Sequence, residues 1–98
     1  MRPHYAYFAA YAFRKYFGEP DGSYIRTMAE RQNHMSCDLV IREQNEDSVR
    51  ILSQVYTLRD TLADNVYEVA KALGIKQDDI WTLIAQTEKR FAQERGLI

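Results

Sequence analysis

The first residues of the chain combine an apolar pattern with clear helix boundaries. Pro3 suits the first turn of a helix, where its missing N–H costs no hydrogen bond. Gly18 followed by Pro20 is a strong stop signal, because neither residue continues a helix well. The pattern therefore predicts helix 1 over residues 3–17.

The next segment predicts a tight turn and then a second helix. Residues 19–22 have turn composition, and Asp21 or Ser23 can cap a helix that begins near Ser23. Four apolar residues at spacings of four and seven share one face of this helix 2: Tyr24, Met28, Met35 and Leu39. The pattern leaves residues 35–42 undecided, because their apolar triplet also suits a strand.

A long central helix is the main feature of the second half. Residues 42–48 contain no hydrophobic side chain and predict a break. After it, helix 3 can be capped by Asn45, Asp47 or Ser48 and has apolar positions at alternating spacings of three and four: Leu52, Val55, Leu62, Val66, Val69 and Leu73. Only Arg59 interrupts this pattern. Gly74 supplies the left-handed end, which predicts a helix of about 27 residues.

A fourth helix completes the fold. It begins at Asp78 and Asp79, whose charges suit a helix N-terminus, and ends before Gly96. Its buried stripe is predicted from five residues: Ile80, Leu83, Ile84, Thr87 and Phe91. We therefore expect a single all-α domain over residues 1–98, a bundle of about four helices in which helix 3 is the spine.

Helix 1 carries apolar side chains on two opposite faces. At 100° per residue, one face holds Ala6, Ala10, Phe13 and Phe17, and the other holds His4, Tyr7, Phe8 and Tyr11. A chain of 98 residues can cover one of these faces with its own core. We expect the second face to contact another protein, with Tyr7, Phe8, Tyr11 and the separate Trp81 as interface residues.

Other interpretations of helix 1 stay open. Both faces could be buried within the domain, with the tyrosine hydroxyls reaching water. Arg2, Arg14 and Lys15 could instead make the aromatic face a stacking platform for single-stranded nucleic acid, or a helix that lies on a membrane surface.

Residues 66–83 have the residue spacing of a helix-turn-helix. Five positions carry the pattern, namely Ala70, Gly74, Ile75, Ile80 and Leu83. A small alanine lets two helices approach, glycine adopts the left-handed turn, and the aliphatic residues fix the crossing. This segment resembles the helix-turn-helix motif of bacterial and phage DNA-binding regulators. The resemblance covers only this part of the chain.

The helix-turn-helix resemblance implies a DNA-binding surface at the start of helix 4. It points to Lys76, Gln77 and Thr82 as the residues that would face DNA, in a dimer formed through helix 1. Asp78 and Asp79 depart from this function, because two carboxylates there would face phosphate. They are better explained as favourable charges at a helix N-terminus.

Composition and charge narrow the remaining function classes. Net charge is −1, and no segment has the strongly basic character of a typical nucleic-acid binder. The single cysteine, Cys37, excludes an internal disulfide, so we expect a reducing compartment, the cytoplasm. The longest apolar run is about half of what a membrane span needs, and its three tyrosines argue against a cleaved signal peptide.

A strip of candidate metal ligands is formed by Glu30, His34, Cys37 and Asp38, which share one face if helix 2 continues. An ordinary polar surface explains them better, because no second cluster of cysteine or histidine completes a site. Nucleotide-binding glycine motifs are also missing. We therefore expect no enzyme, cofactor or metal, but a homodimeric regulatory or adaptor protein. A small dimeric DNA-binding regulator is the alternative.

Overall fold

The structure is a computed structural model that describes residues 2–98, and this part of the chain contains five α-helices and no strand. The helices are, in chain order, α1 (Ala6–Gly18), α2 (Met28–Arg42), α3 (Glu46–Thr57), α4 (Leu62–Leu73) and α5 (Gln77–Arg95). The longest, α5, has 19 residues and packs against the other four. The all-α prediction is confirmed, but there are five helices where the sequence predicted about four.

One hydrophobic core draws side chains from all five helices. The buried face of α1 contains three alanines, Ala6, Ala9 and Ala12, which let its backbone approach its neighbours closely. Phe13 fills the centre, and its ring lies 5.4 Å from those of Tyr56 and Phe91. The aromatic contacts between α1, α3 and α5 thus fix the position of α1 on the bundle.

Helix α2 begins at Met28, so the prediction of a start near Ser23 is wrong. The start is fixed by a capping box in which the Thr27 hydroxyl accepts from the Glu30 N–H at 3.1 Å, while the Glu30 carboxylate accepts from the Thr27 N–H. Two orphan N–H groups are satisfied this way, which makes Thr27 a better start signal than Asp21 or Ser23. Asp21 instead accepts from the Ser23 N–H within the preceding turn.

Residues 35–42, which the sequence left undecided, are helical and belong to α2. The sequence places Met28, Met35 and Leu39 on one face of this helix, and this face is not the one that packs on the core. The residues that α2 buries are Cys37, Val40 and Ile41. Met28, Met35 and Leu39 are 69%, 63% and 43% exposed, so the stripe with the clearer spacing faces away from the core. Two apolar stripes compete on α2, and the one next to α1 and α5 is buried.

The predicted long helix 3 is two helices, α3 and α4, separated by residues 58–61. Thr61 caps α4 by accepting from the Asp64 N–H at 3.3 Å. The buried Asn65 amide donates to the carbonyls of Val55 and Arg59, at 2.7 and 3.2 Å, and so satisfies groups that the end of α3 leaves open. Asn65 Oδ1 has no hydrogen-bond partner among the described residues. The Asn65 amide thus favours two short helices over one long helix.

The junction between α4 and α5 agrees with the predicted glycine position. Gly74 adopts φ +66°, and the Ile75 N–H donates to the Ala70 carbonyl at 3.0 Å. Ala70 and Ile80 are buried, as the spacing predicts, whereas Leu73 is 45% exposed. A three-residue connection, residues 74–76, therefore joins the two helices.

None of the helices described between residues 2 and 98 has the length and apolar character that a membrane crossing requires.

Candidate functional site

The outward face of α1 exposes aromatic side chains, as the two-face pattern predicts. Tyr7 is 92% exposed and Tyr11 is 59% exposed, while Phe13 on the opposite face is fully buried. A nearly solvated tyrosine ring is unusual for a folded monomer, since burying an aromatic ring is favourable. The interpretation in which both faces are buried is therefore wrong.

Tyr7 and Tyr11 lie along a groove between α1 and the turn that connects α3 to α4. We call this the aromatic groove, and its lining residues are Tyr7, Ala10, Tyr11, Arg14 and Asp60. Its volume is about 350 Å³. An adjoining depression of about 300 Å³ shares four of these residues and adds Arg2, Thr61 and Leu62. The groove exists because the chain turns at residues 58–61 instead of continuing as one long helix.

The aromatic groove carries charge of both signs. Arg14 comes from α1 and Asp60 from the turn, and neither forms an ion pair within residues 2–98. The Lys15 ammonium lies 5.7 Å from the centre of the Tyr11 ring, a cation–π contact at the groove edge. The site thus offers an apolar surface lined by Arg14 and Asp60, neither of them ion-paired within residues 2–98, with Lys15 at its edge.

Phe8 does not belong to the aromatic groove, although the sequence grouped it with Tyr7 and Tyr11. It is about 100° from Tyr7 around the helix, and this turns it toward α5. Its ring lies 6.2 Å from that of Phe91, and the Arg95 guanidinium lies 5.9 Å from its centre. Phe8 remains 42% exposed, so it forms a separate, partly covered surface.

Trp81 is also separate from the aromatic groove. It is partly buried and lines a cavity of about 220 Å³ between the N-terminal segment and α5. The Arg2 guanidinium lies 5.8 Å from the centre of the Trp81 ring. Arg2 lines both this cavity and the depression beside the groove, and within residues 2–98 no other side chain lines both.

Beneath this cavity lies a buried polar network that the sequence did not predict. Glu88, only 2% exposed, forms an ion pair with Arg2 and accepts a hydrogen bond from the Tyr56 hydroxyl at 2.6 Å. Burial raises the pKa of Glu88 above its ordinary value, although the hydrogen bonds from Tyr56 and Arg2 act in the opposite direction. Burial also raises the pKa of Tyr56, which keeps the phenol protonated. The network ties the N-terminal segment to α3 and α5.

A signal for Glu88 was present in the sequence. Glu88 is four residues after Ile84 and three before Phe91, so it lies on the predicted buried stripe of the last helix. A carboxylate on such a stripe needs a partner, and this requirement points to a buried network. Nothing in the local sequence identified Arg2 and Tyr56 as its partners.

The residues proposed for DNA contact are all exposed around the start of α5. Lys76 precedes the helix, Gln77 is its first residue, and Thr82 donates to the Asp78 carbonyl at 2.9 Å. Asp78 and Asp79 are exposed in the same first turn. This surface therefore combines one cation with two carboxylates, and phosphate would meet net negative charge.

Among residues 2–98 the four candidate metal ligands form no group that could hold a metal ion, and three of them make other contacts. Glu30 belongs to the capping box, and His34 Nδ1 lies 2.9 Å from the Tyr24 hydroxyl. Asp38 accepts from the Tyr16 hydroxyl at 2.8 Å and pairs with Arg42. Cys37 is not on the polar surface at all but is fully buried, and burial raises the pKa of its thiol. Its position in the core makes it unsuited to nucleophilic attack.

Comparison with known proteins found no match to a family model, to a curated protein or to a solved structure.

Proposed function

We propose that the protein is a non-enzymatic regulatory or adaptor protein that binds another protein through the aromatic groove. The observation that carries this proposal is the exposure of Tyr7, 92% in a chain that buries Phe13 completely on the opposite face of the same helix. Tyrosine is enriched among the residues that dominate binding energy at protein interfaces. Tyr11, which is 59% exposed, lies beside it and adds to the available apolar surface.

The shape and charge of the aromatic groove indicate which residue types a partner segment should have. A groove of about 350 Å³ can accept one large apolar side chain. Arg14 and Asp60 flank it and would pair with an acidic and a basic residue on either side of that anchor. We therefore expect a partner segment with one apolar anchor between charges of opposite sign. We place this interaction in the cytoplasm, since the one cysteine is a free thiol in the core.

The test uses a photoreactive phenylalanine analogue in place of Tyr7 to cross-link the partner in the native host. The purified partner is then titrated against the wild type and against the double variant Tyr7→Ala with Tyr11→Ala. We expect affinity to fall about 100-fold or more, because two hot-spot tyrosines contribute on the order of 3 kcal/mol. The matched control is Tyr67→Ala, which removes a tyrosine that is 51% exposed on α4 and does not line the groove. Equal affinity of the double variant and wild type contradicts the proposal.

A second candidate function is DNA binding through the start of α5. The exposure of Lys76, Gln77 and Thr82 after a three-residue turn supports it, and Asp78 and Asp79 oppose it. Duplex DNA of mixed sequence, titrated at rising salt, distinguishes the two functions. A DNA reader would lose affinity steeply with salt and would be weakened by Lys76→Ala. We expect no such binding.

A further inference from the structure

The outward side of α2 has a regular apolar pattern that nothing in the chain covers within residues 2–98. We call it the α2 seam, and its residues are Met28, Gln32, Met35, Leu39 and Arg42, all of them exposed. Their spacings are four, three, four and three, which is the pattern of a coiled-coil contact line. Three of the five are large apolar side chains. Such a line on a helix surface is the geometry that a second helix recognises.

The α2 seam is directly opposite the face that α2 buries in the core. At 100° per residue, its five positions lie within roughly 40° of the direction opposite Cys37. The buried side is fully used by Cys37, Val40 and Ile41. The seam is therefore a second, independent contact face, and an occupant can approach it without disturbing the core.

The charges beside the α2 seam indicate that the molecule that binds there is a second copy of this chain. On one flank lie Arg31 and Asp38, seven residues apart and of opposite sign. When two copies of α2 meet antiparallel around a two-fold axis, Arg31 faces the partner's Asp38, and the symmetry repeats this pair. Arg31 has no ion pair among the described residues. The Asp38 carboxylate, which holds Tyr16 and Arg42, still has acceptor capacity.

The same register aligns the apolar residues. With Arg31 opposite the partner's Asp38, Met28 faces the partner's Leu39 and Gln32 faces the partner's Met35. On the other flank this register brings Ala29 against the partner's Ser36, two small side chains that permit close approach. A parallel arrangement is worse, because it brings Asp38 against the partner's Glu43. Charge and size therefore select one orientation.

The α2 seam also borders a depression of about 330 Å³. Gln32, Met35 and Ser36 form one side of it, and Glu94 and Arg95 at the end of α5 form the other. The end of α5 therefore stands beside the seam and widens the surface that a second helix can touch. A contact centred on one 15-residue helix is still at the small end of specific interfaces.

We propose that a second copy of this chain docks antiparallel on the α2 seam and forms a two-fold dimer. This surface is separate from the aromatic groove, so the dimer would present two grooves on one particle. The association is of modest strength because the interface is small, and the experiments therefore extend to several hundred micromolar protein.

The first experiment measures the monomer–dimer equilibrium by sedimentation. We expect the wild type to dimerise and Met35→Glu to weaken dimerisation at least 10-fold, because it places a carboxylate in the middle of the apolar line. Tyr67→Glu adds the same charge at another exposed position and leaves the equilibrium unchanged. Circular dichroism verifies that both variants stay helical. A wild type that remains monomeric throughout, or a dimer that Met35→Glu leaves intact, overturns the proposal.

The second experiment tests the register. Two single variants, Gln32→Cys and Met35→Cys, are mixed under mild oxidation, and the buried Cys37 stays unreactive because it is inaccessible. Antiparallel docking predicts a mixed disulfide between the two variants in preference to either homodimeric disulfide. Preferential bridging of Met35→Cys to itself and of Gln32→Cys to itself indicates parallel docking and contradicts the proposal. Dimerisation that is lost in the double variant Tyr7→Ala with Tyr11→Ala also contradicts it.

Discussion

The aromatic groove and the α2 seam are both exposed and apolar, but their shapes depend on different parts of the fold. The groove has one wall on α1 and another on the 58–61 turn, so its shape requires that tertiary contacts hold both in place. The seam lies on one helix, and its apolar line requires that α2 stays helical, while the end of α5 only borders it. Damage to the bundle should therefore affect partner binding at the groove before it affects docking at the seam.

The largest effect should come from Glu88→Ala, which removes the centre of the buried network. We expect the free energy of unfolding to fall by about 3 kcal/mol, because the substitution leaves a cavity and an unpartnered Tyr56 hydroxyl. Arg2 also loses its anchor beside the groove, so partner affinity should fall while the dimerisation constant changes less than about twofold. Urea denaturation, titration and sedimentation measure the three quantities. Gln86→Ala, an exposed change on the same helix, should leave all three within error.

The second effect should come from Asn65→Ala, which removes the amide that satisfies two carbonyls at the end of α3. We expect a loss of about 2 kcal/mol in the free energy of unfolding, because the Val55 and Arg59 carbonyls lose their donor. The groove wall at Asp60 becomes less rigid, so partner affinity should fall while the dimerisation constant stays the same. Glu68→Ala on the same helix serves as the control. Unchanged stability in Asn65→Ala would show that the 58–61 turn does not depend on this amide.

The third effect should weaken dimerisation at the α2 seam and leave partner binding at the aromatic groove unchanged, because Thr27→Ala acts on α2 alone. Loss of the cap should lower the free energy of unfolding by about 1 kcal/mol and fray the first turn, which contains Met28. We expect dimerisation to weaken several-fold while partner affinity at the groove stays constant. Thr27→Ser keeps the hydroxyl and should behave like the wild type. Equal effects on both surfaces would mean that they are not independent.

The smallest effect should be a pH dependence of the free energy of unfolding that is caused by the titration of Glu88. Its pKa is raised by burial, so the folded state binds this proton more tightly than the unfolded state does. The stabilisation from this proton is complete below the ordinary carboxyl pKa of about 4.3, and it is lost as pH rises through the higher folded value. Urea denaturation across this range should show the wild type losing stability relative to Glu88→Gln, which does not titrate. If the difference in the free energy of unfolding between wild type and Glu88→Gln does not change with pH, this prediction is wrong.

The sequence predicted three helix boundaries well, and the signal at each of them is local, although the equally local capping box at Thr27 was missed. Gly74 and Gly96 both adopt positive φ at the ends of α4 and α5, and Asn45 caps α3 by accepting from the Ser48 N–H. In each case the responsible residue is within a few positions of the boundary. Short-range chemistry is sufficient there, because neighbouring residues supply every partner.

The α3–α4 break was missed because the apolar spacing hid the local Thr61 cap, and because the second cause, the Asn65 amide, acts on a carbonyl ten residues away. A spacing of threes and fours runs through residues 52–73, and only Arg59 interrupted it. The break depends on a hydrogen bond from Asn65 back to the Val55 carbonyl, which forms only after α4 has folded back on α3. Apolar periodicity indicates that a segment prefers a helix, but it does not indicate whether that segment forms one helix or two that pack against each other.

The surface of the molecule was predicted only in part for a similar reason. The angular positions on α1 separate two apolar faces, and a chain of 98 residues covers only one of them, so Tyr7 and Tyr11 were found. Ala10, which was assigned to the other face, lines the groove as well. On α2 both stripes are apolar, and the pattern could not determine which one faces the core. The second wall of the groove could not be predicted, because the sequence analysis assigned Asp60 to the middle of helix 3.

The ion pair between Arg2 and Glu88 has a consequence for the order in which the chain assembles. Its partners are 86 residues apart, whereas Asn65 and Val55 are separated by only 10. Closing the longer loop in an unfolded chain costs about 2 kcal/mol more in entropy, so the α3–α4 hairpin should form early and the N-terminal segment should attach last. The element that attaches last is also the first to detach in native fluctuations. Backbone amides at the start of α1 should therefore exchange with deuterium sooner than those of α3 and α4.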